Sequence, residues 1–444
     1  MLKIRGMGIR KVDTALFLFV PMLLFKLACD LGYMLLLRSY TIMFPLNFNL
    51  TKFITGIVCC IVLYFLIDHS ERKASSFLLY VFFLLQIVPI TTVYAFADES
   101  SVFYFTLCAA VLLCELLVRF GDSKEIVERD QAASVLMLVL FAGMTLFTLY
   151  RMIRLYGRPD TAALDLFGVY SIRENAPSLG KLLNYLFKWT TAALLPFGLA
   201  LTISERKYAL AALLAGVCVL LYLYTAHKTI LFMTPLVIAC SFWAKREHCY
   251  RELFFCLCIG FVVLVLLASR EPNHDTGLFS RAYSLLGRRA IIVPANNKFK
   301  YFDYFSTHPK MGIYGFLPRS IIDLNSYYEN VPYTYEISRI YYAKPEMNSN
   351  TGFLAEGFMR FGHVGTFLIL IFFAMILKWI DGLQNRAGYA LAVGAFVYPV
   401  YALNDAHLLD SLFFGPWMIL LLLIMFYKAN MRAAFRIVGR RRSE

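Results

Sequence analysis

The chain has 444 residues, 60% of them hydrophobic, with a mean hydropathy of +0.64 and a formal charge of +14. A soluble domain is about 45–50% apolar, so this excess does not fit one water-soluble core, and the bilayer is the alternative solvent. In a membrane chain a basic excess is expected first in cytoplasmic loops, so the charge is no sign of a nucleic-acid partner, and none is expected.

Taken in order, the chain begins with Lys3, Arg5, Arg10 and Lys11 ahead of an apolar run. That resembles a signal peptide, but among many apolar runs it reads as an uncleaved first span. Apolar runs long enough to cross a bilayer predict about twelve transmembrane helices, near 14–36, 52–68, 75–96, 102–118, 132–150, 185–203, 208–225, 229–244, 252–268, 357–380, 387–403 and 411–427. The expected fold is therefore an all-α polytopic integral membrane protein. Its parts are a bundle over 1–150 (spans 1–5), a shorter outer loop over 151–184, spans 6–9 over 185–268, a large outward-facing loop domain over 269–351, and spans 10–12 with a basic cytoplasmic tail over 352–444.

Orientation follows from Lys and Arg in the intervals. One alternating set, including both termini, holds 22 basic residues, among them Arg72-Lys73, Arg206-Lys207 and Lys245-Arg246. The opposite short intervals hold three: Arg38, Lys52 and Lys228. The positive-inside rule then places both termini in the cytoplasm. Arg151, Arg154 and Arg158 violate the bias, because they follow a span on the outer side. Few ionisable residues lie deep in the spans; Lys26 and Asp30, four apart on one helix face, read as a structural pair. A proton-driven transporter is expected to keep more charge near mid-membrane. The ten cysteines lie almost entirely in apolar segments, so neither a disulfide framework nor a zinc site is expected.

The interval 269–351 is the longest polar stretch, with ten basic residues, seven acids and ten tyrosines. Within it, Ser280 to Arg289 reads as helical. Arg281 and Arg288 are seven apart and project from one face of an α-helix, with Arg289 about a quarter-turn away. Guanidiniums at this spacing suit a diphosphate, and a basic face on lipid headgroups is the alternative. Arg270 opens the same interval. Upstream, the turn Tyr224 to Thr229 carries His227 and Lys228 between two spans, either at the mouth of the bundle or as a capping turn with an interfacial lysine. Arg173-Glu174 offers a phosphate binder and a base. Downstream, Glu356 and Arg360 are four apart, and Glu356 and His363 seven apart, so a carboxylate and an imidazole share a face as candidate acid–base groups, or form a structural ion pair. The chain has no Gly-rich phosphate loop, no Asp-x-Asp pair for a metal-bound sugar nucleotide and no Gly-x-Ser-x-Gly elbow. No cofactor and no metal are expected.

Four features in order resemble the Wzy-type bacterial polysaccharide polymerases, which assemble O-antigen, capsule and enterobacterial common antigen. They are Tyr170-Ser171-Ile172-Arg173 ahead of a span ending Leu195-Pro196-Phe197, the Thr225 to Thr229 turn, the Arg281 to Arg289 segment, and Asn350-Thr351-Gly352 with Phe361-Gly362-His363-Val364-Gly365 leading to Lys378-Trp379-Ile380-Asp381. The resemblance covers roughly 165–382. Lys228 stands where many members carry Arg, and no catalytic base aligns. The resemblance implies a metal-independent membrane glycosyltransferase of the bacterial cytoplasmic membrane. It transfers a growing glycan from undecaprenyl diphosphate to a hydroxyl of an incoming lipid-linked repeat. Arg173, His227, Lys228, Arg270, Arg281, Arg288, Arg289 and Arg360 are then the expected diphosphate binders, and Glu356 and His363 the candidate catalytic residues. A chain-length regulator, a flippase and membrane lipids are the expected partners. The alternatives are an O-antigen ligase, with a similar donor and another acceptor, and a lipid-linked-oligosaccharide flippase.

Overall fold

The computed structural model describes residues 2–121, 131–159, 177–246, 248–272, 277–313, 333–413 and 415–426. Among these the regular structure is all helical, with no strand. The helices are α1 (Leu2–Leu31), α2 (Leu50–Leu66), α3 (Ala74–Phe82), α4 (Val88–Phe96), α5 (Ser101–Phe120), α6 (Gln131–Tyr156), α7 (Gly180–Trp189), α8 (Leu195–Ser204), α9 (Tyr208–Thr225), α10 (Lys228–Trp243), α11 (Cys249–Arg270), α12 (Leu278–Tyr283), α13 (Val293–Thr307), α14 (Tyr333–Tyr342), α15 (Phe353–Ala387), α16 (Tyr389–Ala402), α17 (Leu408–Phe413) and α18 (Pro416–Phe426). Among the described residues eight helical stretches are long and apolar enough to cross a membrane, and Leu50–Leu66, Lys228–Trp243, Tyr389–Ala402 and Pro416–Met425 are shorter apolar helices. Every apolar run picked out from the sequence coincides with one of these.

Wide π-turns join several of the pairs. Phe83–Ile87 connects α3 to α4, Thr190–Leu194 connects α7 to α8, and Ser284–Ile292 connects α12 to α13. In all three the next helix starts with one residue and then proline: Pro89, Pro196 and Pro294. The cause is local. Proline has no N–H for the carbonyl four residues back, and its ring crowds that carbonyl. The chain relieves the crowding with a wider turn. Accordingly Val88, Leu195 and Val293 donate their N–H groups to Phe83, Thr190 and Arg288, each five residues back.

The run α3–π–α4 is buried along nearly its whole length and forms the centre of the bundle. Around it, α15 packs along α5, α1 along α11, and α16 along α3, α8 and α10. The Lys26–Asp30 pair forms as the spacing implies, at 2.5 Å, and Asp30 also accepts from Thr92 at 2.7 Å.

Polar contacts sort the connections into two ends. At one, Asp381 accepts from the Ser75 hydroxyl (2.6 Å), Gln384 donates to the Arg72 carbonyl (2.7 Å), His248 meets Glu71 (3.3 Å), and Lys245 reaches the Ile203 carbonyl. These are the connections that hold the short basic clusters. At the other end, Asn47 donates its N–H to Phe96 (2.8 Å), Lys52 pairs with Asp98 (2.7 Å), Lys300 pairs with Glu99 (2.6 Å), and Lys298 reaches Asn404. Lys73 and Lys245 of the basic set and Lys52 of the opposite set thus make their polar contacts with different connections. Among its described residues the polar interval carries α12, α13 and α14, and α13 is buried at Asn296, Asn297, Lys298 and Phe299. Helix α6 runs to Tyr156, so Arg151 and Arg154 lie in its last turns, where the helix dipole favours cations. That gives them a local reason to stand against the charge bias.

Candidate functional site

An apolar chamber of about 430 Å3 lies inside the bundle, within the size range of small-molecule sites. Phe25 of α1, Val81 of α3, Met233 of α10, Phe261 of α11, Leu286 of the third π-turn and Tyr401 of α16 are among its walls.

Tyr398 and Tyr401 of α16 line one side of the chamber. Asn404 donates its N–H to Tyr401 (3.0 Å), and Asp405 and Ala406 donate theirs to Ala402 (3.1 and 2.9 Å). Two of these bonds run three residues back, so α16 ends at Ala402 in a tighter turn that carries Asn404 and Asp405. Tyr398 and Tyr401 lie just before it. Asn404 ties this turn to the third π-turn: its Nδ2 donates to the Ala290 carbonyl at 2.9 Å. That carbonyl lies four residues before Pro294 and has lost its helical donor. Ala290 itself lines the chamber, beside exposed Arg289. Tyr398 also stands close to Thr229, the residue after Lys228 at the start of α10. Lys228, Arg289 and Asp405 thus lie in three segments next to residues that border the chamber.

Lys298 holds the arrangement from below. Its fully buried ammonium donates to Asn404 Oδ1 (2.8 Å), the Asn404 carbonyl (3.3 Å) and the Pro294 carbonyl (3.3 Å). Burial pulls the Lys298 amine well below the usual lysine range, and the Asp405 charge opposes that. Burial likewise raises the Asp405 carboxyl, and Lys298 opposes it. Asp405 itself is exposed.

The basic segment differs from its expected geometry. From Ser284 to Ile292 it is a π-helix, so a spacing of seven no longer places Arg281 and Arg288 on one face. Arg288 turns toward the connection after α1: its guanidinium lies 4.3 Å from the Tyr40 ring centre and donates to Ser284 Oγ at 2.6 Å. Arg281 is half-buried in α12. Arg270 is exposed in the last turn of α11. The next residue, Glu271, accepts the N–H groups of Phe279 and Ser280 at 2.9 and 2.7 Å, which fixes the start of α12. His227 Nδ1 stands 2.9 Å from the Thr225 carbonyl, with its ring against Phe187. Arg173 and Glu174 lie outside the described residues.

Glu356 and His363 do not share a face. Helix α15 breaks at Phe361 (φ −134°, ψ 21°) and Gly362 (φ 64°, ψ −150°), so the α-helical spacing rule fails between them. The arms on either side of the break touch backbone to backbone: a Cβ on Gly357 would run into the Gly365 carbonyl, and one on Gly365 into that of Gly357. Glu356 is fully buried with both oxygens engaged, one by Arg360 Nε (3.1 Å), the other by the Leu408 N–H at the start of α17 (2.7 Å). Arg360 also donates to the Gly312 carbonyl (3.3 Å) and approaches Asp410 (3.8 Å). It borders a second, apolar cleft of about 350 Å3. His363 is exposed beside Thr106 (3.0 Å). Among the described residues no three metal-ligating side chains gather at one point.

Comparison with protein-family models, curated proteins and solved structures gave no match. The site therefore has to be judged on its own chemistry. Lys298, Asn404 and Asp405 escaped the sequence reading. Their signal is faint: an Asn-Asp pair closing an apolar run, and a lysine four residues after a proline.

Proposed function

We propose that the protein is a membrane glycosyltransferase that polymerises undecaprenyl-diphosphate-linked repeat units. The feature that supports this reading is the apolar chamber, bordered by the segments in which Lys228, Arg289 and Asp405 lie. An apolar cavity among membrane helices suits a lipid chain, and cations in the segments around it suit a diphosphate that gains charge as the sugar departs. Both substrates are bilayer-anchored, so alignment beside it does part of the work. In this reading the twelve apolar helices all span, both termini are cytoplasmic, and the end with Asp98, Lys298 and Lys228 faces outward from the bacterial cytoplasmic membrane. The resemblance in the sequence adds the substrate class.

A deletion strain tests it. Surface glycan reduced to single repeats, restored by the intact gene, is the expected result. Long chains left unattached would replace this reading with a ligase. Translocation of lipid-linked oligosaccharide by purified protein in liposomes, without glycosidic bond formation, would replace it with a flippase.

A further inference from the structure

Resting on that reading, we propose that the donor's prenyl tail enters the chamber sideways from the bilayer, through a seam between α10 and α11. These helices follow one another in the chain across a short connection, an arrangement that ordinarily gives antiparallel neighbours packed along their length. Here they take different partners: α10 packs mainly on α8, α9 and α16, and α11 mainly on α1 and α12. Pro235 inside α10 supplies a local cause, since a proline there removes the hydrogen bond to the Leu231 carbonyl and favours a bend.

Between the two helices the chamber wall is accessible. Cys256, Leu257 and Gly260 of α11 line the chamber and are exposed, as is Leu286; Phe232 and Leu236 line it from α10 and are half-buried. At Gly260 the space is open, for a Cβ there would meet nothing within 4 Å. The bundle holds α11 by its neighbouring stripe, where the Phe261 ring lies 4.8 Å from that of Phe25 in α1.

The occupant follows from depth and chemistry. Gly260 is the middle residue of the span-length stretch Tyr250–Arg270, about 15 Å from either end, so in a bilayer the seam opens to hydrocarbon. Its residues offer rings, alkyl groups and one thiol, which do not replace the water around a sugar or a phosphate. A hydrocarbon chain needs no such replacement, and an open apolar space gains contacts by taking one in. Among such chains the donor's is favoured by a further wall residue: Ala290 lines the chamber, and the exposed Arg289 precedes it in the chain. A basic neighbour suits a tail that ends in a diphosphate. Sideways entry also spares the charged headgroup a passage through the membrane core.

The test uses the full chain, purified in detergent and as the sole copy in cells. The probe is farnesyl diphosphate with a benzophenone at the end of its tail, cross-linked by light and mapped by mass spectrometry. Labelling is expected on α10 and α11, displaced by excess farnesyl diphosphate and not by excess phospholipid. Gly260→Trp puts an indole in the open space. It should lower labelling by about ten-fold or more, the scale for overpacking an occupied site, and shorten surface glycan. Gly216→Trp is the control: its position on α9 is equally open but does not line the chamber, and both readouts should stay at the wild-type level. Wild-type labelling confined to other helices would overturn the seam, whatever the variants do. So would unchanged labelling of Gly260→Trp that accumulates normally. Displacement by phospholipid would give the seam to ordinary acyl chains and overturn the assignment to the donor. Labelling at the seam in a chain whose deletion leaves surface glycan unaltered would uphold the seam for a prenyl diphosphate and overturn only the polymerase reading.

Discussion

The Asn404 side chain donates to the Ala290 carbonyl at 2.9 Å while its own oxygen accepts from Lys298 at 2.8 Å. One side chain thus closes two gaps: a carbonyl stranded by Pro294 and a buried ammonium. It also sets the distance between the turn that carries Asp405 and the π-helix that carries Arg289. Asn404→Leu strands both partners. A buried polar group left without its bond costs about 1–3 kcal/mol, more when charged. The expected result is a clear drop in the melting temperature of the detergent-solubilised protein. An unchanged melting temperature would mean that water or a neighbour replaces Asn404.

Under the proposed function, Arg289 and Lys228 should matter more than Arg288, which is engaged by Tyr40 and Ser284. Arg289→Ala and Lys228→Ala are expected to shorten surface glycan, each lowering polymer formation by roughly 10²-fold, the scale for losing one charge-stabilising donor. Arg288→Ala should act mainly through the lost Tyr40 and Ser284 contacts, and so lower thermal stability more than chain length. Equal loss of chain length in all three, at matched protein levels, would return Arg288 to the site.

Glu356 caps α17 and balances Arg360 in a buried setting. Removing one member of such a pair costs about 3–5 kcal/mol, because the other charge stays buried alone. Glu356→Ala is expected to fail to accumulate in membranes. Glu356→Gln keeps an acceptor for one partner and should accumulate at reduced level with long glycan chains. Abundant Glu356→Gln protein making no polymer would restore Glu356 as a catalytic candidate.

The Gly357–Gly365 contact leaves no room for a side chain in either direction. Gly357→Ala must part the two arms of α15, and the loss should exceed the 1–3 kcal/mol usual for overpacking, since backbone yields less than side chains. Protein level in membranes, by immunoblot, is the measurement. A normal level would show that the break at Gly362 can open.

Burial raises the Glu99 carboxyl above its usual value, although Lys300 opposes the shift. A raised acid keeps its proton in the folded chain at pH values where the unfolded chain has lost it. Its contribution to stability is therefore full below the ordinary carboxyl value and is lost as pH rises through the raised one. Glu99→Gln should flatten the fall in melting temperature across that window. Parallel curves for the two proteins would count against it.

The helices were legible because apolar runs must be helical in lipid. The site was less legible for reasons of backbone geometry. Seven-residue spacing places two side chains together only on an unbroken α-helix, and both stretches that invited it depart from one: 284–292 is wide-turned, and Gly362 reverses the chain. Prolines 89, 196 and 294 were visible, but which carbonyl each strands, and that Asn404 reaches one of them, depends on contacts across more than a hundred residues.

A π-turn spends one residue more per loop than an α-turn does. Pro89 and Pro196 therefore each mark a place where a helix has been advanced by about 100° relative to an uninterrupted α-helix, the angle one residue subtends, and the nine-residue stretch before Pro294 advances it further. Losing a single residue between 284 and 292, with Pro294 changed to Ala, would shorten the wide-turned stretch and swing the α12 half around its axis. The prolines thus set the phase between the two halves of these helices, so the rotational aim of Arg281 relative to Lys298 is written in residue count as well as residue type.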